Sequence, residues 1–463
     1  MKLPKSVFND SYFLVLCVMG AFAILSSTMS KSPVLNPCAK SLNTPPDLLG
    51  LIASVSTIPG ILISLPAASL SDIVGRRKML LFSAFAFASA PFMYLLVTTW
   101  WQLALVRFYH GFATAVFVPV TEATVTERFP LKRGERISIL NSATGIGRTI
   151  APILGGTILT AGGTIIISAN YAYQSLYLAV AVAGVTACIL AFLLLSEKKN
   201  SATPVASIRN VSRKMFQGWR EIALNRSAII VSFVQAGQYY VYGAVEFFLV
   251  GYMVEVAKLD ALFAGLFLSV NVATLIISRP ILGRISDKHG RHIPILLGVA
   301  ITIPAVLAIP FTIQFPLLLL ISVVYGLGFA MVISSTSPLM SELSPQGLVG
   351  ASMGFLCTMM DIGQTLGPFV SGVVLASFSH QYAPLFASLS LMLLTTGIVF
   401  LLSSRTSQSK TQAQIALKRM RLSEYRNSFK GKHNSKTGLN ACSYTPASEP
   451  ATWKNQSTST SNS

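Results

Sequence analysis

Twelve separate stretches of this chain run apolar for about twenty residues or more, and no other feature limits its fold so severely. They lie at about 11–31, 48–70, 79–99, 101–126, 137–161, 170–195, 227–253, 261–283, 293–313, 316–338, 349–377 and 381–403. A helix needs roughly 20 mostly apolar residues to cross a bilayer. A transmembrane barrel needs short alternating strands, which these runs are not. The first stretch has the look of a signal peptide, but eleven more follow it, so it is read as a retained first span. Only 11% of the 463 residues are charged and 52% are hydrophobic, where a soluble domain carries about 25% charged residues. The expected fold class is an all-α membrane protein of twelve transmembrane helices.

The formal charge of +19 is informative by position. With both termini in the cytoplasm, Arg76, Arg77 and Lys78, then Arg128, Lys132, Arg133 and Arg136, then Arg209, Arg213 and Lys214, then Lys288 and Arg291 all fall inside. So do ten basic residues of the tail, from Arg405 to Lys454. The opposite connections hold Lys31, Lys40 and Lys258. This is the positive-inside bias of short loops, and it predicts a multi-pass protein of the cell membrane. No basic run is both long and interleaved with aromatics, so nucleic acid is not an expected partner. Cys17, Cys38, Cys188, Cys357 and Cys442 are scattered, and the five histidines do not cluster, so neither a disulfide framework nor a metal site is expected.

The chain repeats itself. Gly50 matches Gly265; Asp72, Gly75 and Arg76 match Asp287, Gly290 and Arg291; Gly111 matches Gly326; Glu127 and Pro130 match Glu342 and Pro345. All are 215 residues apart, and Ala151–Gly156 matches Gly367–Gly372 at 216. A constant offset over this length marks an internal duplication. The expected domains are an N-terminal bundle (1–195), a polar cytoplasmic linker (196–226), a C-terminal bundle (227–404) and a basic tail (405–463) of disordered composition. Within the tail, "IALKRMRLSEYRNSF" reads either as a basic helix on anionic lipid or as a solvated segment.

"ASLSDIVGRRK" (68–78) resembles the loop signature of the major facilitator superfamily, Gly-x-Leu-x-Asp-x-x-Gly-Arg-Lys/Arg. Asp72, Gly75, Arg76 and Arg77 match it, with Ala68 at the first Gly; the second copy keeps Gly283, Asp287, Gly290 and Arg291. The resemblance covers nearly all of the first 404 residues and implies two pseudo-symmetric six-helix bundles. Glycine tolerates the positive φ of a tight turn, and a helix N-terminus offers about half a positive charge to an acid. The resemblance therefore implies that Asp72 meets the start of the eleventh span and Asp287 the start of the fifth. "LVRFYHGFATA" resembles the family's Arg-x-x-x-Gly signature, which gives Arg107 a part in proton coupling; the alternative is an Arg bonded to neighbouring carbonyls. "GRTIAPILGG" resembles the antiporter signature through Gly147, Pro152, Gly155 and Gly156, with Ala151 in place of a Gly. This favours efflux by exchange, although close helix packing needs the same small residues.

Arg148 and Asp361 are intramembrane charges, functional candidates by default. Gln364 is the counterpart of Arg148. With Arg107, Glu246, Gln238 and Tyr239, these residues are expected at the coupling site or substrate cavity, or in structural pairs. Gln235, Tyr240 and Tyr242 extend the same polar and aromatic stretch. Lys31 and Glu246 are equivalent at the 215 offset. They are expected to pair as an outer gate, against the alternative of two interfacial charges. No nucleotide loop, hydrolase elbow or zinc spacing is present, so neither an enzyme nor a bound cofactor is expected, and the proton gradient is the expected energy source. The reading is a monomeric, proton-coupled exporter of a small amphiphilic or drug-like compound. Its rivals are proton-linked uptake of a small organic anion or nutrient, and a transport-inactive sensor on the same scaffold.

Overall fold

The computed structural model describes residues 11–129, 133–165, 169–195, 220–344 and 349–403. The chain divides into two units, Met1–Ser404 and Arg405–Ser463; the linker up to residue 219 and the basic tail lie outside the described residues.

The described residues form helices and no strand. They are α1 (Ser11–Met29), a short α2 (Leu35–Ser41), α3 (Pro46–Ser54), α4 (Ile58–Val74), α5 (Arg76–Leu95), α6 (Trp100–Arg128), α7 (Arg133–Ile165) and α8 (Ala169–Leu195). The second half holds α9 (Arg226–Glu255), α10 (Ala261–His289), α11 (His292–Ala308), α12 (Phe315–Leu343), α13 (Val349–Ser377) and α14 (Tyr382–Ser403). Among the described residues, ten stretches are long and apolar enough to cross a membrane. The fifth and seventh expected spans, α7 and α9, have 33 and 30 residues but fall outside that set. Length is not the reason, since 1.5 Å per residue makes each about 45–50 Å long. Asn141 and Arg148 in α7, and Gln235, Gln238 and Glu246 in α9, lower their apolar character.

The second expected span is not one helix. It is α3, a 3₁₀ turn at Val55–Thr57, and α4. Pro59 at the start of α4 lacks an N–H and cannot continue the α-ladder through the turn. Local hydroxyls hold the break. Ser54 Oγ donates to the carbonyls of Gly50 (2.8 Å) and Thr365 (2.6 Å), and Thr57 Oγ1 lies 2.6 Å from Thr365 Oγ1. The motif turns are shorter than a loop. Gly75 alone separates α4 from α5, with φ +99°, and Gly290 closes α10 with φ +84°.

Packing follows the duplication. A Cβ on Gly147 of α7 would sit 2.3 Å from the carbonyl oxygen of Ala21 on α1; on Gly363 of α13 it would sit 2.1 Å from that of Ala236 on α9. Between the halves, Gly50 of α3 abuts the Pro368 carbonyl (2.1 Å) and Gly265 of α10 the Pro152 carbonyl (2.2 Å). The halves thus meet along two seams, α3/α4 with α13 and α7 with α10. Small residues allow this approach, since lipid gives helices no hydrophobic drive to associate with each other.

Candidate functional site

The two motif turns lie at one end of the bundle, the motif end; Lys31 and Lys40 lie at the other, the lysine end. At the motif end Arg76 Nε donates to Glu127 Oε2 (2.5 Å) and Nη1 to Ser71 Oγ (3.2 Å). The second copy repeats this: Arg291 donates from Nε to Glu342 Oε1 (2.9 Å) and from Nη1 to Ser286 Oγ (3.3 Å). Arg291 also bonds Asp287. Residues 130–132, just before α7, and the side chain of Asp72 lie outside the described residues. Arg77 is exposed, and a Cβ on Gly283 would meet nothing within 4 Å. Glu127 and Glu342 matched in the sequence, but their place as the arginines' partners was not foreseen. Their presence in both copies, beside a doubled Arg, was the available signal.

At the lysine end, Lys31 Nζ lies 2.5 Å from Glu246 Oε2, with side chains only 14% and 7% exposed. Beyond this pair Lys40 bonds Glu255, again 215 residues away. Tyr382 OH donates to Glu255 Oε2 (2.9 Å) and accepts from Lys40 Nζ (3.2 Å). Nine residues of α9 separate Glu246 from Glu255, about 13 Å along the axis. The lysine end is thus bridged at two levels, the deeper one buried. Gly156 against Ala261, and Leu262 N donating to Thr160 Oγ1 (3.3 Å), close the α7/α10 seam at the same end. Gly155 packs within its own half, against Pro33 and Met29.

Between the two ends lie the remaining expected residues. Arg107 is 2% exposed; its Nη2 donates to Ser56 Oγ (2.6 Å) in the break of the second span, while its Nε faces no acceptor among the described residues. His110 is buried one turn away, its Nδ1 3.4 Å from both Ser30 Oγ and Tyr94 OH. Arg148 is exposed. The Asp361 carboxylate reaches α4, with Oδ2 2.9 Å from where a Cβ on Gly60 would lie. Gln364 packs on Gly243 of α9. Tyr239 belongs to an aromatic wall, its ring 5.2 Å from Phe329, which stacks on Tyr242 at 5.2 Å. Gln238 departs from expectation. It is 0% exposed, with both amide atoms unbonded among the described residues, so it faces the packed interior of its half. Gln235 is also buried and accepts from Thr336 Oγ1 (2.6 Å).

The arrangement is that of a carrier. A polar, partly aromatic interior lies between two halves that join firmly at one end. It holds no group of three or more His, Cys, Asp or Glu side chains fit for a metal among the described residues. The comparisons agree. A multidrug resistance protein, MdtG of Klebsiella pneumoniae, is 24% identical over 358 residues, covering 76% of this chain and 80% of that protein. A riboflavin transporter of Clostridioides difficile is 23% identical over 335 residues, covering 64% and 73%. The crystal structure of a bacterial homolog of the human lysosomal transporter Spinster, inward-facing and unoccupied, superposes with a TM-score of 0.73 at 16% identity, over 87% of this chain and 98% of that one. The sequence profile of the Major Facilitator Superfamily matches residues 12–364 and again 276–439, so the chain belongs to that superfamily and is a membrane transporter, not an enzyme.

Proposed function

We propose that the protein is a proton-coupled secondary transporter that exports a small amphiphilic or drug-like compound by alternating access. The two-level bridge at the lysine end carries this reading: it closes one face of the cavity while Asp287, Glu127 and Glu342 at the other face remain exposed. In the cell membrane, with both termini cytoplasmic, the lysine end is the outer end and the structure corresponds to an inward-open state. Asp361 is the proton site, a carboxyl with no ion-pair partner among the described residues, and the monomer is the working unit. The relative MdtG, a multidrug resistance protein by name, supports a drug-like substrate. Proton-linked uptake of an organic anion is the second reading, favoured by Arg107 and Arg148. Counterflow in proteoliposomes against a compound panel, with and without a pH gradient, tests the proposal. Uphill movement into acidic-lumen vesicles carrying inside-out protein supports export. Uphill movement only in the opposite sense supports uptake, and no flux of any compound overturns the transporter reading.

A further inference from the structure

Packing within and between the halves obeys the repeat, but three charges break it. The glycines at the close contacts come in equivalent pairs, 50 with 265 and 147 with 363. Arg148, in contrast, has Gln364 as its equivalent, Asp361 has Gly145, and Arg279 has Ser64. The charges that hold the motif turns, Arg76 with Arg291 and Glu127 with Glu342, are kept in both copies. Arg148, Asp361 and Arg279 are in one copy each.

Their placement is also one-sided. Gly145 of α7 touches Ile276 of α10, a Cβ there lying 2.9 Å from Ile276 Cδ1. Arg148 and Arg279 each sit three residues further along their antiparallel helices. That places each about 4.5 Å from the contact, Arg148 toward the lysine end and Arg279 toward the motif end. Both side chains are exposed, and neither has a carboxylate within ion-pair distance among the described residues. Asp361 lies on the other seam, against Gly60 of α4. Tyr239 of α9 is within electrostatic reach of Arg148, Arg279 and Asp361 alike. One seam thus carries two bases and the other an acid, and an aromatic group is within reach of all three.

We propose that the cavity takes an organic anion with a flat aromatic body, its negative group held by Arg148 and Arg279 and its ring laid against the partly exposed Tyr239 and Tyr242, behind which the buried Phe329 packs. A guanidinium matches a carboxylate or sulfonate with two parallel N–H bonds, which an ammonium cannot reproduce. Two unpaired guanidiniums beside low-dielectric walls attract such a group strongly and repel a cation. The aromatic wall supplies offset-stacking area. Asp361, on the far seam, is left free for a proton. The inference rests on the transporter reading and narrows its substrate class.

The test uses the purified full-length protein in lipid nanodiscs and three probes of one shape: 1-naphthoate, 1-naphthamide and 1-naphthylmethylammonium. Calorimetry should show naphthoate bound at least about tenfold more tightly than either other probe, the difference that one charge-assisted hydrogen bond makes. Arg148→Gln and Arg279→Gln should each remove that preference, with unchanged thermal stability, and Arg148→Lys should restore part of it. Equal binding of the amide, tighter binding of the ammonium, an intact preference in both Gln variants, or no binding of any probe overturns the inference. Counterflow separates the two levels. Flux of neutral or cationic compounds without naphthoate binding sinks the anion site alone. Naphthoate binding with no flux of any compound sinks the transport reading alone.

Discussion

Replacing Glu246 by Gln should open the lysine end. The side chains of Lys31 and Glu246 are 14% and 7% exposed and 2.5 Å apart in the closed arrangement. Removing one partner of a fully buried pair costs about 3–5 kcal/mol, because the remaining charge is left uncompensated. An exposed pair is worth about 0–1 kcal/mol. The pair lies between these limits, its lysine side chain still 14% exposed, so about 2 kcal/mol is the reasonable figure. Once the halves separate, Lys31 is hydrated and the penalty vanishes, so the loss falls on the closed arrangement alone. At about 1.4 kcal/mol per factor of ten, the open population should rise roughly thirtyfold. Spin labels on Ser41→Cys and Val256→Cys, two exposed and equivalent positions across the seam, should report it as a longer distance component. The labelling background replaces the five native cysteines. Lys31→Gln should act in the same direction, and the swap Lys31→Glu with Glu246→Lys should bring the short distance back. Singles with wild-type distance distributions, or a swap no better than the worse single, would refute the argument.

Gly50→Val should do the same by steric means, since even a Cβ would lie 2.1 Å from the Pro368 carbonyl. Gly265→Val should match it, and unchanged label distances in both would show that the seam yields more easily than its geometry indicates. Gly75→Ala and Gly290→Ala, at φ +99° and +84° with extended ψ, should each destabilise by about 1–3 kcal/mol. Glu127→Gln removes an exposed pair and should cost less than about 1 kcal/mol; thermal unfolding in detergent ranks them. In a Cys442→Ser protein, maleimide at pH 8 should modify exposed Cys357 and spare buried Cys17, Cys38 and Cys188. Rapid labelling of Cys38 would contradict its buried placement.

The run lengths, the duplication and the glycine turns were legible because each follows from one property of local sequence. The Lys31–Glu246 contact was legible for a different reason: the constant offset placed opposite charges at matching depth. The Lys40–Glu255–Tyr382 cluster carries the same offset and was passed over, because Glu255 follows the apolar run and reads as an ordinary helix end. The break at Val55–Thr57 lies inside an apolar stretch, where run length hides a change of helix type. Gln238 was misplaced for lack of a face. In α9 polar and apolar residues surround the whole helix, so periodicity does not show which side is wet. Arg279 was missed because it sits near a span end, where a basic residue is unremarkable until its neighbours across the seam are known.

The two bridges at the lysine end have one geometric property in common. Lys31 faces its own equivalent, Glu246, and Lys40 faces Glu255. Under twofold symmetry only residues on the axis touch their own copies, so both bridges mark the axis at two heights. Two identical halves would have set lysine against lysine there, or glutamate against glutamate, and like charges at such distances push apart. A perfectly symmetric version of this protein would therefore have no electrostatic lock on this face. The closed form gains its lock only from the difference between the halves, and any substitution that makes them more alike at these four positions weakens it.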